Sequence, residues 1–197
     1  MKKDLLNNSK KLVLTINDIA KELSISNESA KVTANRYTKS SSLLRIKRNF
    51  YIITQRFKEL KESELFQVAN LIEVPSYISL TSALSYFNVT SQQLQNIVES
   101  ISVKRSKVRT VKNIEFRYHK VKKTFYSGFY RSENFFIAEP EKAFADSVYM
   151  TAINRYSLDF EAVDFKKLNI SKVTQYLEST NSITNDYWIK LCKRYKI

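Results

Sequence analysis

The chain has 197 residues, 43% hydrophobic and 13% aromatic, enough for packed cores in one large or two small domains. Its 33 lysines and arginines against 19 acidic residues leave a net charge of +14, which favours an anionic partner: nucleic acid first, acidic protein second, a membrane surface third. One glycine (Gly128), one histidine (His119) and one cysteine (Cys192) exclude a glycine-rich phosphate loop, a histidine-rich or all-cysteine metal cage and an internal disulfide framework. No apolar run reaches the roughly 20 residues that span a bilayer, and the start, MKKDLLNNSKKLVLT, lacks the apolar core of a signal peptide. A cytoplasmic protein is expected, with no membrane association and no cofactor.

Residues 3–14 are expected to form a short helix, with Leu5, Leu6 and Leu12 packing inward. Thr15 and Asp18 then have the spacing of a capping box, with Asp in place of Glu. Ile16, Ile19, Ala20 and Leu23 follow at helical spacing. The turn Ser24-Ile25-Ser26 ends that helix, and Ser26 caps a second one running from about Asn27 to Ser40, with Glu28 in its first turn. Ala30, Thr33, Ala34 and Tyr37 make its inner side, while Glu28, Val32, Asn35, Arg36 and Lys39 lie opposite with Ser29 beside them. Two strands, Leu43–Lys47 and Asn49–Ile53, meet at a tip containing Arg48-Asn49, where Asn tolerates the left-handed conformation.

Helix, turn, helix and basic hairpin in that order predict a winged helix-turn-helix over residues 1–60. Its second helix would enter a major groove of double-stranded DNA. Asn35 and Arg36 would read base edges with help from Ser29 and Val32, and Lys31, Lys39, Lys47 and Arg48 would hold phosphates, with Arg45 adding charge to the wing. The competing reading is an ordinary pair of helices and a hairpin with solvated charges, because matches of this kind are common.

Further along, Gln55–Ala69 looks like a connecting segment with Phe57, Leu60 and Leu65 or Phe66 on one stripe. Glu62 to Val103 contains no lysine or arginine, so the positive charge is banded. Ser79 is expected to cap a core helix over Leu80–Phe87. Four β-rich runs, Asn96–Lys104, Ile114–Val121, Thr124–Tyr130 and Asn134–Ala138, predict a small antiparallel sheet. Lys104, Arg105, Lys107, Arg109, Lys112, Arg117, Lys120, Lys122 and Lys123 crowd it, a second basic patch for DNA backbone, RNA or an acidic protein, or simply a solvated face. Pro140 among acids starts a helix with Ala143, Phe144, Ser147, Val148 and Thr151 inward, and residues 164–197 form two or three short helices. The fold class is thus α+β: the winged module, then residues 61–197 as a mixed domain of that sheet with flanking helices. No clustered carboxylates with metal-binding spacing appear, so no metal site and no enzymatic role are expected.

Two stretches, Pro75-Ser76-Tyr77-Ile78-Ser79-Leu80-Thr81-Ser82-Ala83-Leu84-Ser85-Tyr86-Phe87 and Glu139-Pro140-Glu141-Lys142-Ala143-Phe144-Ala145-Asp146, following a winged helix and flanking a basic sheet, give the chain its resemblance to the AbiEi antitoxins of bacterial abortive-infection, type IV toxin–antitoxin systems. The resemblance covers most of the chain and is loosest over the final helices. It implies a bipartite protein whose winged helix binds inverted repeats in its own promoter and represses the operon. Its C-terminal domain would oppose a nucleotidyltransferase-like toxin, acting on the toxin or on the toxin's target. A stand-alone regulator of a neighbouring defence gene, or an RNA- or protein-binding module using the basic sheet, are the alternatives. Arg48-Asn49 stands where the family more usually has a glycine at the hairpin tip.

Overall fold

A computed structural model describes residues 9–197 and shows a mixed α+β chain with two sheets. Two compact units divide at Val68/Ala69. The expected helix over residues 3–14 does not extend into the described residues: 9–13 are irregular, and Leu14–Thr15 form strand β1. Leu5 and Leu6 lie outside the described residues.

In the first unit, α1 (Ile16–Leu23) and α2 (Asn27–Lys39) precede a hairpin of β2 (Leu43–Lys47) and β3 (Phe50–Ile53). α3 (Thr54–Lys58) follows, and α4 (Glu62–Ile72) runs across the division. A three-stranded antiparallel sheet orders β1-β3-β2. The capping box forms as the spacing predicts: the Asp18 amide donates to the Thr15 hydroxyl at 3.2 Å, and the Thr15 amide donates to the Asp18 carboxylate at 2.8 Å. Burial pulls the Asp18 carboxyl upward, but hydrogen bonds from Lys11 and Thr15 overcome it and hold it at about 2. Leu14, Ile19, Leu23, Ala30, Ala34 and Leu43 form the core.

The second unit holds a six-stranded mixed sheet in the order β6-β7-β5-β4-β9-β8. Its strands are β4 (Ser76–Ile78), β5 (Ile97–Ser102), β6 (Lys107–Val111), β7 (Ile114–Lys120), β8 (Phe129–Ser132) and β9 (Phe135–Ala138). The expected small antiparallel sheet is corrected in two ways. β5 pairs parallel with β7, and β4 pairs parallel with β9. Two strands, β4 and β6, were also not foreseen: β4 has only three residues, and β6 alternates charge as exposed edge strands do. Thr124 and Phe125, expected in a strand, belong to a 3-10 turn over Lys123–Phe125.

Four helices complete this unit: α5 (Leu80–Tyr86), α6 (Pro140–Ala152), α7 (Ile170–Glu178) and α8 (Ser182–Tyr195). Pro140 opens α6 as predicted, but the helix is not buried on one face alone. Every residue from Lys142 to Met150 is buried, because α5, α7, α8 and β9 surround it.

The only glycine is fixed by its surroundings. Gly128 has φ +69, and a Cβ there would lie 2.6–2.8 Å from the Tyr176 ring and hydroxyl. Tyr176 has little freedom to retreat, since its hydroxyl donates to Glu139 at 2.9 Å. Gly128→Ala is expected to cost about 1–3 kcal/mol by combined strain and clash, read as a lower melting temperature. An unchanged melting temperature would show that the Tyr176 ring is not held.

Candidate nucleic-acid interface and the buried polar cluster of the second unit

α2 is positioned by small residues. Ala30 and Ala34 are wholly buried and allow close approach to α1. Ser26 caps the helix, accepting from the Ser29 amide at 3.2 Å. Ser24, at φ 51, turns the chain sharply between the helices. The opposite side is open: Val32 is 70% exposed, and Ser29, Lys31, Asn35, Arg36 and Lys39 are exposed with it. The Ser29 hydroxyl also accepts from Ser26 at 3.2 Å, tying it to the cap.

The hairpin carries the remaining cations. Arg45 and Arg48 are exposed, while Lys47 is half-buried with its ammonium 4.4 Å from the Phe50 ring centroid. Asn49 takes the left-handed conformation expected of it, at φ 65. Its side-chain oxygen also accepts from the Ile16 amide at 3.1 Å, fastening the tip to the start of α1. Sequence spacing gave no sign of that bond, which a glycine could not make. The register of β2 against β3 shifts between Arg45 and Lys47. From Asn27 to Ile53 there are six basic residues and one acid, Glu28.

The second basic patch is less unified. Lys104, Arg105, Lys107, Lys120, Lys122 and Lys123 gather at the ends of β5 and β7, whereas Lys112 sits in the opposite turn and Arg109 midway along β6. Several cations are already paired. Lys104 meets Glu73 at 3.3 Å, Lys107 pairs with the same carboxylate, and Arg117 holds Glu115 at 2.7 Å. Lys107 and Arg117 also lie on opposite faces of the sheet, since they pair with Tyr118 and Val108 respectively.

A cluster that periodicity did not reveal joins two of the distinctive stretches. Lys142 and Asp146, both with side chains 0% exposed, form an ion pair at 2.6 Å. Asp146 also accepts from the Ser79 hydroxyl at 2.7 Å and the Tyr77 hydroxyl at 3.0 Å. The Lys142 ammonium lies 3.3 Å from the Phe125 ring centroid. Burial raises the Asp146 carboxyl and lowers the Lys142 ammonium, and their contact opposes both shifts. Ser79, expected to cap α5, makes no such bond; its hydroxyl donates to Asp146 instead.

Beside it, Glu99 on β5 is almost fully buried and accepts from the Thr81 amide at 3.1 Å and the Tyr156 hydroxyl at 2.8 Å. Burial pushes its carboxyl up to about 7 despite these bonds. Leu80, between Ser79 and Thr81, takes φ 55, a conformation few leucines adopt. No group of three metal-ligating side chains occurs among the described residues. No helix among them is long and apolar enough to cross a membrane.

No protein-family model matches the chain, and no curated protein matches it.

Proposed function

We propose that this chain is a DNA-binding transcriptional repressor and antitoxin of the AbiEi kind, working in the cytoplasm. In this reading the first unit is a winged helix-turn-helix. α2 lies in the major groove of promoter inverted repeats, and the β2–β3 hairpin grips the backbone. The second unit opposes a nucleotidyltransferase-like toxin. The observation that carries the reading is the exposed outer face of α2, with Val32, Asn35 and Arg36 presented to solvent on a helix anchored by Ala30 and Ala34. The pairing of Lys104, Lys107 and Arg117 with carboxylates weighs against the second basic patch as the main nucleic-acid surface.

Gel retardation on the DNA upstream of the gene tests it. Binding to that DNA is expected to exceed binding to random duplex by at least about 10³-fold at physiological salt. With Lys31, Lys39, Lys47 and Arg48 each neutralising one phosphate, the log–log salt slope should be about −4 per bound chain. Equal affinity for random duplex, or tighter binding to structured RNA, would overturn the reading. The antitoxin half is tested by the adjacent gene: a nucleotidyltransferase-like product should be toxic alone and tolerated on co-expression.

A further inference from the structure

The second unit contains an open pocket of about 620 Å³ beside the β6 edge, within the size range of small-molecule sites. Its lining is chemically divided. Arg117 on β7 and Arg155, just after α6, supply two guanidinium groups. Val108, 59% exposed on β6, and Met150 on α6 supply apolar surface. His119, on β7, also lines it, and its Nε2 is buried without a hydrogen-bond partner among the described residues.

Three features make this more than a basic surface. Glu115 engages Arg117 through Nε and Nη2 at 2.9 and 2.7 Å, fixing the guanidinium while leaving three of its five N–H donors for another acceptor. Arg155 has no ion-pair partner among the described residues and is exposed. The His119 ring lines the pocket with a nitrogen that no group among the described residues satisfies. Burial and the nearby Arg117 lower the His119 pKa, so the neutral ring offers one N–H and one acceptor near pH 7. Glu99, Arg117's neighbour in register on β5, opposes an anion only when ionised, and its carboxyl is pushed up to about 7. Lys107 is not counted here, because it lies on the opposite face of the sheet from Arg117 and its only charged group is held by Glu73.

Two planar guanidinium groups suit the bidentate bonding of a phosphate oxygen pair. A volume of this size with an apolar wall suits a phosphate carrying a ring or chain rather than the bare ion. We propose that this pocket binds an organic phosphate of mononucleotide size, with Arg117 and Arg155 on the phosphate and Val108 and Met150 against the organic part. The pocket lies within the second unit, and the inference does not depend on the DNA-binding reading.

His119 gives a direct probe, since the chain has no other histidine and its imidazole protons give one set of proton resonances. The full chain should be titrated with each ribonucleoside 5′-monophosphate, with the parent nucleosides, with inorganic phosphate and with a 5′-phosphorylated dinucleotide. At least one monophosphate is expected to bind with a Kd on the order of 0.1 mM and to move the His119 resonance; nucleoside and inorganic phosphate should each be about tenfold weaker or worse. Arg155→Ala and Arg117→Ala should each weaken binding at least roughly tenfold with an unchanged melting temperature. A dinucleotide that binds as well as the free monophosphate identifies the ligand as a nucleic-acid 5′ end, within the same chemistry. The proposal is overturned if no compound moves the His119 signal at millimolar concentration, if inorganic phosphate binds as tightly as the monophosphates, or if affinity survives both arginine variants. Should either variant fold poorly, Val108→Glu at the exposed wall must abolish binding, and retained binding would overturn the proposal equally.

Discussion

Asp146→Ala is expected to destabilise the second unit by about 3–5 kcal/mol, a large share of a typical domain's stability. The substitution leaves the Lys142 ammonium sealed at 0% exposure without its partner, and strips the Tyr77 and Ser79 hydroxyls of their acceptor. Lys142→Met alone should cost less, because the remaining carboxyl can take up a proton and keep bonding to Ser79 and Tyr77. The double variant Lys142→Met/Asp146→Leu should recover part of the loss, as apolar replacement of buried ion pairs often does. Trp188, the only tryptophan, lies buried in this unit and reports its unfolding by fluorescence in urea. A loss below about 1 kcal/mol for Asp146→Ala would mean that water reaches the pair.

Arg36→Ala should weaken binding to the upstream DNA by about 1–3 kcal/mol and relax preference at one base pair. Lys47→Ala should instead weaken specific and random duplex alike and lower the magnitude of the salt slope by about 1. The contrast follows from their positions. Arg36 is on the exposed face of α2 beside Asn35 and Val32, whereas Lys47 sits on the hairpin against Phe50. Competition binding over a set of single-base operator variants separates the two effects. Identical losses from both variants on specific and random DNA would remove the base-reading role from Arg36.

Local chemistry made the first unit legible. Thr15, Asp18 and Ser26 cap helices through bonds spanning three residues, and Asn49 takes the conformation its short side chain tolerates. The inner and outer sides of α2 follow directly from the 3.6-residue period, so Ala34 and Arg36 fall on the sides expected. The second unit was less legible because its order comes from long-range pairing. Three residues of β4 carry no periodic signal, yet they bridge β5 and β9 and bring Tyr77 to Asp146 across 69 positions. Lys142 and Asp146, four apart on a helix, have the spacing of a surface ion pair. Only the helices packed around α6 turn that spacing into a sealed one. Glu99 likewise looked like an ordinary strand residue, and its burial depends on Thr81 and Tyr156 arriving from elsewhere in the chain.

A photoreactive side chain placed at Val32 tests most directly whether α2 enters duplex DNA, since this residue is 70% exposed. Irradiation with the upstream duplex should attach the chain to bases in the major groove, and the same group at Ile183 of α8, 60% exposed, should give no such product. Attachment from Ile183 but not from Val32, at a protein concentration that retards the DNA, would contradict the account.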